Sequence, residues 1–135
     1  MAKRTEVAKS SDLDAHVSAD WKCVHGIWSK IRAQESWTAP TLLNSWANYG
    51  GGYNPAGYFK DSLGIVHLRG FIKDGTVATA AFTLPAGYRP AYTEVLVGQA
   101  NDLFAQVIIE TAGNVKPNIG SNVWFSLDGI SFRAA

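Results

Sequence analysis

Glycine and proline divide this chain in two. Residues 1–35 hold one glycine, Gly26, and no proline; residues 36–135 hold the other twelve glycines and all five prolines. Proline removes a backbone donor and glycine admits positive φ, so a stretch this rich in both is cut into short elements joined by turns. From Ser36 onward the chain is confined to short strands.

The strand patterns fill that frame. "GIVHLRGFI" alternates Val66, Leu68, Gly70 and Ile72 on one face with Ile65, His67, Arg69 and Phe71 on the other. "LFAQVIIE" sets Leu103, Ala105, Val107 and Ile109 against Phe104, Gln106, Ile108 and Glu110, and "VWFSL" sets Val123, Phe125 and Leu127 against Trp124 and Ser126. "FIKDGTVA" and "FSLDGISF" each carry an Asp-Gly pair between apolar runs, the signal of a two-residue hairpin. "TLPAGYRPAY" and "ETAGNVKPN" read as breaks between strands. About eight strands joined by turns predict an all-β domain over 36–135, an antiparallel β-sandwich of jelly-roll type. Several strands carry apolar residues on both faces, whereas a monomeric sheet of this kind usually keeps one face polar. The spare apolar face reads as a subunit contact, or else as apolar surface that a small domain leaves exposed.

Residues 1–35 follow a helical period. Val17, Trp21, Val24, Trp28 and Ile31 recur at steps of four and three, the seam of a short coiled coil, with Ser and Asp available as N-caps in "SSDLDAH". Barely two heptads interrupted by Gly26 make a marginal helix alone. Two Trp on one seam must be buried, against their own domain or against another copy, and in the second case these five residues are the candidate oligomerisation contacts.

Composition narrows the chemistry. With 47% hydrophobic and 17% charged residues the chain can pack a core, and its net charge of +1 gives no field to attract nucleic acid or an acidic membrane. No apolar run approaches the ~20 residues that a membrane-spanning helix needs. Cys23 is the single cysteine and no Cys/His spacing suits zinc, so neither an internal disulfide nor a metal or other cofactor is expected. Nucleophile-elbow, phosphate-loop and zinc-protease motifs are missing. Of the carboxylates after Ser36, Asp61, Asp74 and Asp128 occupy turn positions, and Glu94, Asp102 and Glu110 have no spacing of a paired acid and base. The expectation is a protein that binds without catalysing.

Candidate ligand groups are few. His67 and Arg69 stand side by side on one strand face, able to donate to a hydroxyl or carboxylate or to pair with an acid of the protein itself. Trp124 points away from the Val123/Phe125/Leu127 face, beside a turn, where it could stack on a sugar or anchor an interface. "NSWANYGGGYNPAGYFKD" crowds one Trp and three Tyr among glycines, as an aromatic platform for a ligand would or as the tight turns of a small β-domain would.

Three pieces carry a family resemblance: "WTAPTLLNSWANYGGGYNPAGYFKDSLGIVHLRGFIKDGT", "FTLPAGYRPA" and "SLDGISFRA". From Trp37 to Ala135 the chain resembles the distal head domains of bacteriophage tail fibres and related receptor-binding or minor tail proteins. The resemblance implies a compact sandwich head, a homotrimer with residues 1–35 as its stem, and a place in the virion tail after synthesis in the host cytoplasm. It also implies contact with other tail proteins and recognition of a bacterial surface saccharide without catalysis or membrane insertion. Specificity would then sit in loops, where the backbone is least constrained. "VGQANDLF" and "AGNVKPNIGSN" offer Gln99, Asn101, Asn118 and Asn122 for sugar hydroxyls. Two other readings stay open, a decorating virion protein that binds only neighbouring subunits and a small secreted prophage protein acting at the cell envelope.

Overall fold

The computed structural model describes residues 34–135. Val17, Trp21, Val24, Trp28 and Ile31, and the helical stem they were expected to form, lie outside the described residues. Within them the protein is all-β and every strand pairing is antiparallel, in ten short strands. These are β1 (Ala47–Asn48), β2 (Gly57–Lys60), β3 (Ile65–Arg69), β4 (Phe71–Lys73), β5 (Phe82–Thr83), β6 (Glu94–Ala100), β7 (Leu103–Ile109), β8 (Asn114–Ile119), β9 (Phe125–Ser126) and β10 (Ser131–Arg133). Seven form one sheet in the order β1-β4-β9-β6-β7-β8-β5; three form a second, β10-β3-β2.

The run that reads as one strand, "GIVHLRGFI", is two strands in two sheets. β3 lies in the small sheet and β4 in the large one, and the joint is Gly70 at φ 144°. A Cβ on Gly70 would come within 2.8 Å of the Ala56 Cα, so both the dihedral and the close approach demand glycine. "FSLDGISF" bends at the same place. β9 pairs with β4 and β10 with β3, so one antiparallel ribbon passes from the large sheet into the small one. Its two bends are tied together: Leu127 N–H donates to Gly70 O (2.7 Å), Leu68 N–H to Ile130 O (2.8 Å), and Gly70 N–H to Asp128 Oδ1 (2.8 Å). Strands that change sheet through a bend are how stacked sheets make corners.

Neither Asp-Gly pair closes a hairpin. Leu127 to Ile130 is a turn with its positive φ at Gly129, and it joins strands of different sheets. After β4, Asp74 takes φ 68°, but Gly75 does not have the positive φ that a type I′ turn requires at its second position. Gly75 is there for space instead, since a Cβ would fall within the indole of buried Trp46. The tight hairpin lies elsewhere, at Asn101-Asp102, both at positive φ (48° and 64°) between Ala100 and Leu103. Pro117 does not break its strand. It sits in β8 at a register shift opposite Gln106 and Val107, where a bulge absorbs the missing donor.

Inward residues of both sheets meet in one core. Val66, Leu68 and Phe132 from the small sheet join Ile72, Phe82, Val107, Ile109, Val115 and Phe125 from the large one, all buried. Tyr58 belongs to it, its ring parallel to that of Phe82 (6.4 Å between centroids, 18°). Fully burying side chains of this size stabilises the fold by ~1.5–3 kcal/mol each, which fixes the register of every strand that contributes one.

Candidate functional site

The register of the small sheet builds its outer face. Gly57 pairs with Arg69, and Phe59 with His67, which also pairs with Ser131. Because Gly57 has no side chain, Trp37 can lie across that position. The Arg69 guanidinium carbon rests 4.5 Å from the Trp37 ring centroid, and a Cβ on Gly57 would press to 3.1 Å from Arg69 Nε. Trp37 meets Phe59 edge-on (4.5 Å, 88°), and Phe59 stacks on His67 (4.7 Å, 14°). The rings and the guanidinium thus brace one another in a continuous row.

Asp61 holds the far end. Its Oδ1 accepts the N–H groups of Leu63 (2.9 Å) and Ile65 (3.0 Å), closing the β2–β3 turn, while Oδ2 lies 2.8 Å from His67 Nε2. The His67 hydrogen bond, followed by the Ile65 N–H, holds the Asp61 carboxyl below its ordinary pKa. With Nε2–H committed to this carboxylate, the His67 Nδ1 accepts when the ring is neutral and donates when it is protonated.

Arg69 has no such partner. Among the described residues its Nε is buried without a hydrogen bond and no carboxylate forms an ion pair with it. It borders a groove of about 470 Å³ walled by Trp37, Phe59, His67, Asn54 and Asp128, within the ~300–1,000 Å³ span of small-ligand sites. Asp128 is fixed at the sheet corner, its Oδ1 accepting Gly70 N–H (2.8 Å) and Asn54 Nδ2–H (3.3 Å). A depression of comparable size beside Pro40 and Pro85 has its arginine engaged already, Arg89 Nε donating to Leu84 O at 2.8 Å.

The other predicted ligand residues disperse. Trp124 lies on the outer face of the large sheet, stacked on Phe71 (4.8 Å, 23°), which stacks in turn on Tyr53 (4.4 Å, 15°) and meets Tyr49 edge-on (5.1 Å). Tyr49 and Tyr53 are thus exposed members of a surface aromatic cluster, unlike the core residue Tyr58. Gln99 is on the same face, opposite Phe104 and Ser126. Asn101 serves the β6–β7 turn, Asn118 Nδ2–H donates to Gln106 Oε1 (2.8 Å) across strands, and Asn122 Nδ2–H donates to Gly75 O (3.0 Å). Trp37, Phe59, Asn54 and Asp128 were not anticipated as groove residues. Asp128 was legible only as a turn residue, and the place of Trp37 depends on a glycine in another strand.

Among the described residues no three His, Cys, Asp or Glu side chains gather as a metal cluster, and no helix is long and apolar enough to cross a membrane. The chain matches no protein-family model, no curated protein and no solved structure.

Proposed function

We propose that this chain is a non-catalytic tail-tip head of a bacteriophage or prophage, and that the groove beside Arg69 takes a saccharide of the bacterial surface. The supporting observation is the Arg69 guanidinium, held over the Trp37 ring with Nε buried and unpartnered among the described residues, at the edge of a groove that also offers Asp128 and Asn54. A pyranose has an apolar C–H face and a rim of hydroxyls that both donate and accept. Trp37 and Phe59 suit the face; Arg69 donors and the Asp128 and Asn54 oxygens suit the rim.

Binding without turnover is the consistent chemistry. A glycosidase of the usual kind needs two carboxyls flanking its substrate, and among the described residues Asp128 is the one carboxylate that lines the groove. In this reading the two sheets are a jelly-roll-like sandwich, and the heads assemble as homotrimers beside other tail proteins in the virion tail. Three weak sites on one rigid assembly gain avidity without new contacts. A decorating role is the second reading, favoured by the exposed aromatic and aliphatic residues of the large sheet.

The test is binding of the full chain to bacterial cells and immobilised wall glycans, wild type against Arg69→Ala. A charge-assisted hydrogen bond of ~1.5–3 kcal/mol predicts a loss of roughly 10- to 100-fold. Stability should barely move. Losing the stacked guanidinium costs about 0.5–1 kcal/mol, and removing an unsatisfied buried donor offsets it. Equal binding by the variant, or no binding by the wild type, overturns the proposal.

A further inference from the structure

We infer that the outer face of the seven-stranded sheet is where this chain binds a second copy of itself. This rests on observations separate from the groove and stands whether or not a saccharide binds there.

Cross-strand pairing makes the face continuous. Val95 pairs with Ile108, Val97 with Gln106, and Gln106 with Ile119. Gln99 pairs with Phe104 on one side and with Ser126 on the other, and Ser126 pairs with Phe71 of the aromatic cluster. Tyr49, Tyr53, Val95, Val97, Phe104 and Ile119 each keep between 41% and 71% of their surface exposed. With ~150–250 Å² for a whole aromatic side chain and less for Val and Ile, these six expose on the order of 500–700 Å². That reaches the upper limit of ~300–600 Å² for the largest apolar patch of a typical monomer. It approaches the ~800 Å² that each partner contributes to a standard interface.

The polar groups on and around the face suit self-pairing. No charged side chain lies between Phe71 on β4 and Phe104 on β7 along the paired row. The two lysines that flank it are paired within the chain, Lys116 with Glu110 at 2.6 Å and Lys73 with Asp74 at 3.7 Å. The middle of the face is therefore uncharged, and the layout is an apolar centre with a polar rim. Gln99 and Gln106 sit among the apolar residues, and an amide both donates and accepts, so glutamines of two copies can bond each other. Asn118 fixes Gln106 by donating to its Oε1, which leaves the Gln106 NH₂ for the partner.

Two measurements on the full chain test this. The first places p-benzoylphenylalanine at position 104, followed by irradiation and mass-spectrometric mapping. The expected product joins two copies, position 104 to a residue of the same face. The second is light scattering of Val97→Glu/Phe104→Glu, whose exposed positions leave the fold intact by circular dichroism. Its mass should fall to that of one chain while the wild type stays assembled. A monomeric wild type, an assembly unaffected by the two glutamates, or cross-links only to other regions or to a different protein would overturn the inference. Wild-type assembly with no glycan binding would sink the groove proposal and leave this one standing.

Discussion

Three Gly→Ala substitutions separate backbone strain from close packing and test the corner that carries the groove. At Gly70 both act. Its φ of 144° lies where only glycine is comfortable, about 1–3 kcal/mol for another residue, and the new Cβ would sit 2.8 Å from Ala56 Cα and 3.3 Å from its Cβ. Overpacking of that kind adds ~1–3 kcal/mol, while the stiffer unfolded chain returns ~0.4–1 kcal/mol. The net destabilisation is about 2–5 kcal/mol. For a domain of this size, ~4–8 °C per kcal/mol translates that into a Tm lower by roughly 8–40 °C. Gly75→Ala isolates the steric part, because its φ is ordinary but the methyl would overlap the Trp46 indole. Gly51→Ala isolates the dihedral part, at φ 62° with nothing within 4 Å. It should be nearly neutral, since ~1–2 kcal/mol of left-handed strain is largely offset through the unfolded state. Thermal unfolding of the three variants side by side is the assay. If Gly70→Ala shifts Tm by less than about 4 °C, the equivalent of ~1 kcal/mol, or if Gly51→Ala falls as far, the corner is not the constrained joint described above.

Two further outcomes are expected. Asp61→Asn keeps an acceptor for Leu63 and Ile65 but loses the charge facing His67. Because the folded carboxyl lies below its unfolded value, its stabilisation is present above about pH 4 and is lost as pH falls through the folded value. The Tm gap between wild type and Asp61→Asn should therefore narrow in acid; a gap constant from neutral pH down to strong acid would contradict the assignment. Asp102→Gly relieves a left-handed residue in the β6–β7 hairpin, so Tm should rise by a few degrees, ~0.5 kcal/mol, with cell binding unchanged. Lost binding would instead return that turn to the ligand site.

What the sequence determined was local. Glycine and proline density after Ser36 forced short strands, and period-two alternation set Val66, Leu68 and Ile72 on one face and Ala105, Val107 and Ile109 on another, which the structure buries while leaving Leu103 of the same pattern exposed. It also set His67 and Arg69 on one face, since neighbours two apart on a strand cannot do otherwise. The tertiary structure decided how those strands were shared. An Asp-Gly pair announces a turn but not which sheet the chain enters next, so two expected hairpins became one corner and one crossing over Trp46. Asn101-Asp102, read as a ligand loop, proved to be the hairpin, because Asn and Asp tolerate positive φ without a glycine to advertise it. The groove was invisible for the same reason: Trp37 reaches Arg69 only because Gly57 pairs opposite it, and that register is fixed by core side chains distant in the chain. Alternation is a property of one strand and can be read along it, whereas pairing belongs to two strands and is settled only when both have buried their inner faces.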